Sequence, residues 1–196
     1  MLYLHGFRSS PQSTKARKLA TVVAALQRDG VDLSWACPQL PPSPREAMAV
    51  IHAHVADWPH TQMAVIGSSL GGFYATVLAN QLACQAVLIN PAVAPARDLA
   101  RYIGEQTSYH DPHAHFFFRP EFIDEFQALD PYPLQHPELC HALIAKGDEV
   151  LDWHEMVSHY QGARIRLLDG SDHAVSDFDT YLPEVLGWLD LPMPRP

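Results

Sequence analysis

Short apolar runs alternate with segments of helical periodicity along this chain, and no other feature restricts its fold as strongly. The runs at 1–4, 32–36, 62–66, 86–89, 141–145 and 163–168 each stop at residues that turn the backbone: His5-Gly6, Cys37-Pro38, Gly67-Ser68, Asn90-Pro91, Gly147-Asp148 and Asp169-Gly170. Between the first two runs, Leu19, Val22, Val23 and Leu26 recur at helical spacing. Ser13 or Thr14 is placed to cap that helix and Gly30 to stop it. Ser43 and Pro44 open a second helix over 45–58. Further helices are predicted over 73–82 and 178–189, the last broken or restarted at Pro183. Strands that alternate with helices imply a parallel sheet covered on both faces. Right-handed crossovers make it doubly wound, an α/β architecture of three layers with about six strands.

The segment 93–137 breaks the alternation. It lies between two core strands, so it is expected to rise over one edge of the sheet as a cap or lid of short helices. Its run Phe116-Phe117-Phe118 could line a substrate pocket, or could pack in the core. The 196 residues suit one domain spanning 1–196 that includes this insertion.

Composition excludes several functions. With 13 Lys plus Arg against 22 Asp plus Glu, the net charge is −9, which disfavours a nucleic-acid phosphate backbone as partner. No stretch approaches the roughly 18 apolar residues a membrane helix needs. The N-terminus has no basic region followed by a long apolar one, so no secretory signal is read there. Three widely spaced cysteines, Cys37, Cys84 and Cys140, fit buried thiols in a reducing compartment. The expectation is a cytoplasmic protein. His52 and His54 point to different faces of a helix, and His110, His113 and His115 lack ligand partners at usual spacing except Asp111. Neither group is read as a metal site.

The sharpest chemical signal is Gly67-Ser68-Ser69-Leu70-Gly71, a G-x-S-x-G pattern. Alone it would arise by chance in roughly three chains of this length in a hundred, so its context decides. Here a strand precedes it and a helix follows it, which is the turn that lifts a serine hydroxyl above a sheet. A serine hydroxyl becomes a nucleophile only when a base takes its proton. His173, beyond the last strand, is placed to be that base. The acid that orients it should follow the preceding strand. Asp148, Glu149 and Asp152 all lie there; Asp148 is nearest the strand end and is preferred, whereas Asp152 can cap a helix near Trp153. The order Ser69, Asp148, His173 is the hydrolase order. Backbone N–H groups of Leu70 and Phe7 are the candidate oxyanion donors, and His5 is read as a structural support for that loop. No dinucleotide or Walker fingerprint is present, and no cofactor is expected.

These residues together identify a resemblance. The chain resembles the YqiA/YcfP-like esterases, a branch of the α/β-hydrolase superfamily. The likeness rests on Leu2-Tyr3-Leu4-His5-Gly6-Phe7 with Ser9-Ser10-Pro11, on Pro38-Gln39-Leu40-Pro41-Pro42 and on Gly67-Ser68-Ser69-Leu70-Gly71-Gly72-Phe73-Tyr74-Ala75-Thr76. It extends through Asn90-Pro91-Ala92-Val93, Gly147-Asp148-Glu149-Val150-Leu151-Asp152 and Asp172-His173-Ala174. It covers nearly the whole chain, with 97–127 matching less well. The resemblance implies an α/β-hydrolase fold without its first antiparallel strands. It also implies hydrolysis of small short-acyl esters, with Ser69 as nucleophile, His173 as base and Asp148 as acid. A thioesterase, or a binding protein on a hydrolase scaffold, are the alternative readings.

Overall fold

The computed structural model describes residues 1–195. Its five-stranded central sheet is entirely parallel. β1 (Leu2–Leu4) leads through α1 (Thr14–Arg28) and α2 (Pro44–Val55) to β2 (Ala64–Ser68). From there α3 (Leu70–Leu82) returns the chain to β3 (Gln85–Ile89). The insertion then holds α4 (Pro95–Leu99), β4 (Gly104–Thr107), β5 (His115–Phe118) and α5 (Glu121–Ala128). The core resumes with β6 (Cys140–Ala145), α6 (Trp153–His159), β7 (Arg164–Leu168) and α7 (Phe178–Trp188). The strands stand in the order β1-β2-β3-β6-β7.

The predicted strand at 32–36 contracts to one residue. Tyr3 N–H donates to the Ala36 carbonyl at 2.9 Å and Ala36 N–H to the Met1 carbonyl at 3.1 Å. β1 has only three residues to offer, and Pro38 cannot extend a ladder. This single bridge still matters, because it lies on the side of β1 opposite β2. The winding direction therefore reverses between β1 and β2, and ligands of such sheets bind beyond the strand C-termini at that reversal.

Alternation along each strand divides the core. Leu2, Leu4, Val65, Ala86, Leu88, Ala142 and Ile144 face one side, where they pack with Ile51 of α2, Phe73 and Leu78 of α3 and Met156 of α6. Tyr3, Ile66, Val87, Ile89, Leu143 and Ala145 face the other, against Leu19 and Val23 of α1 and Phe178 and Val185 of α7. The caps read from the sequence form: Ser13 Oγ accepts from Ala16 N–H at 3.4 Å, and Ser43 Oγ from Glu46 N–H at 3.2 Å. Pro183 does not interrupt α7, whose buried residues Phe178, Val185 and Leu186 flank it. Cys84 and Cys140 are buried, while Cys37 is half-buried.

The insertion is not purely helical. β4 and β5 form an antiparallel hairpin that pairs Gly104 with Phe118 and Thr107 with His115. Aromatic residues favour extended backbone, so the three phenylalanines alternate. Phe118 is fully buried and Phe117 is 59% exposed. Glu125 of α5 fastens the insertion to the core. It accepts the Ser43 hydroxyl at 2.6 Å, the Arg45 N–H at 3.1 Å and the Arg45 guanidinium at 2.7 Å. Burial works to raise the pKa of Glu125, but these donors outweigh it and hold the carboxyl below its usual range.

β1, β2 and α3 approach so closely that side chains have no room between them. A Cβ on Gly71 would stand 2.0 Å from the Leu4 carbonyl oxygen, and one on Gly67 2.2 Å from that of Gly71. Gly187, inside α7, has nothing within 4 Å of such a Cβ. Gly71→Ala should therefore destabilise the protein by at least about 2 kcal/mol. Gly187→Ala should instead be neutral or stabilise by up to about 1 kcal/mol. Urea unfolding of the two variants beside wild type checks the contrast.

Candidate active site

Ser69 joins β2 to α3 at φ 56° and ψ −121°, a conformation that L residues seldom adopt. Backbone bonds on both sides fix it. Its N–H donates to the Ile89 carbonyl at 2.9 Å, and its carbonyl accepts from Ala92 N–H at 3.0 Å and Gly72 N–H at 2.9 Å. The turn thus projects the hydroxyl beyond the sheet, at the C-terminal end of β2.

The structure brings Ser69, His173 and Asp148 together. His173 Nε2 lies 3.0 Å from Ser69 Oγ, and His173 Nδ1 lies 2.7 Å from Asp148 Oδ2. A carboxylate only accepts, so Nδ1 carries the proton and Nε2 is left to accept from the serine hydroxyl. The Asp148 side chain is wholly buried and that of His173 is 19% exposed. Asp148 Oδ1 accepts the N–H groups of Val150 and Leu151, each at 2.8 Å. The carboxylate is thereby held by three donors. The competing acids are engaged elsewhere: Asp152 caps α6 by accepting from His154 N–H at 2.9 Å, and Glu149 accepts the His173 N–H at 3.0 Å. Asp172 shapes the turn through Ser176, whose N–H and hydroxyl donate to it at 2.8 and 2.7 Å.

The loop after β1 faces the serine. A Cβ on Gly6 would lie 3.7 Å from Ser69 Oγ. Among the described residues, the N–H groups of Phe7 and Leu70 donate to no acceptor. His5 braces this loop: its Nδ1 donates to the Gly6 carbonyl at 2.9 Å and its Nε2 accepts the Leu40 N–H at 3.1 Å. Burial lowers the His5 pKa, which keeps the ring neutral for this double role. The hairpin secures the other end. Arg8, at φ 59°, donates from Nε to the Thr107 carbonyl at 2.7 Å, and its own carbonyl accepts the Tyr109 N–H at 2.8 Å.

Two chambers meet at this loop. One, of about 560 Å³, contains Ser69 and His173; the other, of about 480 Å³, lies across Phe7 and Leu70. Of the three phenylalanines, Phe116 lines the second chamber. Phe118 packs against Phe7 and Phe122 at ring separations of 5.3 and 5.5 Å. Phe117 points to solvent, so the three do not form one pocket wall.

One supporting residue escaped the sequence reading. Asn90, fully buried just beyond β3 at φ 42°, accepts the Ala145 N–H at 2.7 Å. Its amide donates to the Asp172 and His173 carbonyls, each at 3.0 Å. It therefore ties the ends of β3 and β6 to the loop that carries His173. A buried polar residue at a strand end was the only available signal, and its partners follow from the adjacency of β3 and β6. Asn90→Ala should cost about 2 kcal/mol by stranding buried donors and acceptors. Urea unfolding reads this directly, and a loss under about 0.5 kcal/mol would contradict the assigned role.

Comparison with known proteins places this geometry. The model of an uncharacterised protein family, UPF0227, matches residues 1–190. A provisionally described hydrolase from Agrobacterium vitis S4 is similar over 96% of this chain and 87% of its own, at 18% identity and TM-score 0.72. One of LipS and LipT, two metagenome-derived lipolytic enzymes, is similar over 96% of this chain and 92% of its own, at 18% identity and TM-score 0.67. The mouse alpha/beta hydrolase domain-containing protein 10 is similar over 96% and 89%, at 14% identity and TM-score 0.66. At these identities the likeness establishes the α/β-hydrolase fold.

Proposed function

The chain belongs to the uncharacterised family UPF0227, and we propose that it is a serine esterase acting on small, short-acyl carboxylic esters. The observation that carries this reading is the relay from Asp148 through His173 to Ser69, at 2.7 and 3.0 Å, on a backbone turn that holds the hydroxyl at the wall of a cleft. The lipolytic activity of one structural relative is consistent with it.

In this mechanism Ser69 Oγ attacks the ester carbonyl carbon while its proton passes to His173 Nε2. Asp148 keeps the imidazole oriented and stabilises its cationic form. Negative charge gathers on the carbonyl oxygen, where the N–H groups of Leu70 and Phe7 receive it. Collapse breaks the bond to the alcohol oxygen, which leaves with the proton from His173. Water, deprotonated by the same ring, then attacks the acyl-serine and returns Ser69. Leu70, Ala92, Pro95 and Leu99 supply apolar wall for a short acyl group. The insertion at about 93–137 serves as the cap over the cleft. A thioester would meet the same groups, and a binding protein would keep the cleft without turnover.

Hydrolysis of p-nitrophenyl acetate and an acetyl thioester separates these readings. Ser69→Ala should lower kcat/KM for the ester by about 10³-fold or more, and Asp148→Asn by about 10²-fold or more. Turnover by Ser69→Ala at the wild-type rate would reject the assignment. A strong preference for the thioester would shift the reading to a thioesterase.

A further inference from the structure

We propose that the alcohol half of the substrate carries a carboxylate, and that Lys15, on the first turn of α1, receives it. The inference rests on the esterase reading and deepens it. Because the departing oxygen must take its proton from His173 Nε2, the alcohol half lies on the His173 side of the cleft. There Ser13, Thr14, Lys15 and Lys18 of the α1 start and Ser176 beyond the histidine supply polar groups, next to Val175 and Phe178.

Of the two lysines there, Lys15 is the one without a carboxylate partner. Its ammonium donates to the backbone carbonyl of Ala174, the residue after His173. Among the described residues, no carboxylate oxygen lies within 4.0 Å of it. The neighbouring acids are otherwise engaged: Asp179 with Lys18 at 2.5 Å, Asp172 with Ser176, and Glu149 with the His173 N–H. Burial draws the Lys15 pKa down to about 8 against the opposing charge of Asp172, so the site holds a poorly solvated ammonium that a closer anion would complete. The bond to Ala174 ties α1 to the loop that carries His173, and a neutral donor could make it as well. The first turn of α1 has no acidic residue, although the positive end of a helix favours one and disfavours a lysine. A half-buried cation set against the helix dipole, bonded to the residue after His173 in the same cleft, is suited to ligand recognition. One ammonium that already feels the charge of Asp172 matches a monoanion better than a dianion.

The test compares kcat/KM for 4-acetoxybenzoate and 4-acetoxybenzamide, whose leaving phenols are similar in size and differ in charge. Wild type should prefer the anion by about 10-fold or more, the range of a charge-assisted hydrogen bond. The preference should fall to about 1 in Lys15→Gln, which can still donate to Ala174. Lys15→Arg should restore most of it. Because the readout is a ratio, a general loss of activity in a variant cancels. A wild-type ratio near 1, or one that survives in Lys15→Gln, would overturn the proposal while leaving the esterase reading intact. Faster turnover of 4-acetoxyphenyl phosphate than of the carboxylate would overturn the monoanion assignment. If wild type cleaves neither ester, nor p-nitrophenyl acetate, the esterase reading fails and this proposal with it.

Discussion

The turn at Ser69 is the constraint on which the rest of the structure depends. A serine at φ 56° is costly unless its surroundings over-determine it. They do so with hydrogen bonds to both of its backbone polar groups and with glycines where a Cβ would strike β1, the first turn of α3 or Pro91. The close packing of α3 on β1 and β2 follows from that requirement. So does the position of the Gly6-Phe7 loop, which reaches the serine because no side chain intervenes. The reversal of winding between β1 and β2 puts both segments on the same edge of the sheet, where such folds leave a crevice.

The cleft is assembled from segments distant in sequence, and hydrogen bonds hold each in register. Asp148 spends one oxygen on the turn that carries it and the other on His173. Asn90 fixes the loop on which His173 sits. His5 and Arg8 anchor the two sides of the Phe7 loop, the first to the core and the second to the β4–β5 hairpin. The insertion is thus bound to this loop. Through Arg8 and the contacts of Phe7 with Tyr102, Phe116 and Phe118, it sets the position of an amide assigned to the oxyanion. A change in the hairpin would reach the candidate site without touching it.

Much of this was legible in the sequence because the informative residues sit at strand ends. Ser69, Asp148 and His173 each follow an apolar run, and a parallel sheet gathers the C-terminal ends of its strands on one edge. The G-x-S-x-G pattern gave the turn, and local capping chemistry gave Ser13, Ser43 and Asp152 their places. What stayed hidden depends on tertiary neighbours. The 32–36 run has the pattern of a strand, but pairing length is set by β1, which is short. The Phe116-Phe117-Phe118 run carried no periodicity that could distinguish a pocket from a core. The hairpin then divided it by alternation, with Phe118 inside and Phe117 outside. Asn90 and Lys15 draw their meaning from groups more than fifty residues away, so local pattern could not assign them.

The central claim is that Ser69 is an activated nucleophile, and intact-mass measurement after exposure to a fluorophosphonate tests it most directly. The account predicts a single adduct on the wild-type protein and none on folded Ser69→Ala. A folded wild-type protein that takes no adduct, or a Ser69→Ala variant that still takes one, would contradict it.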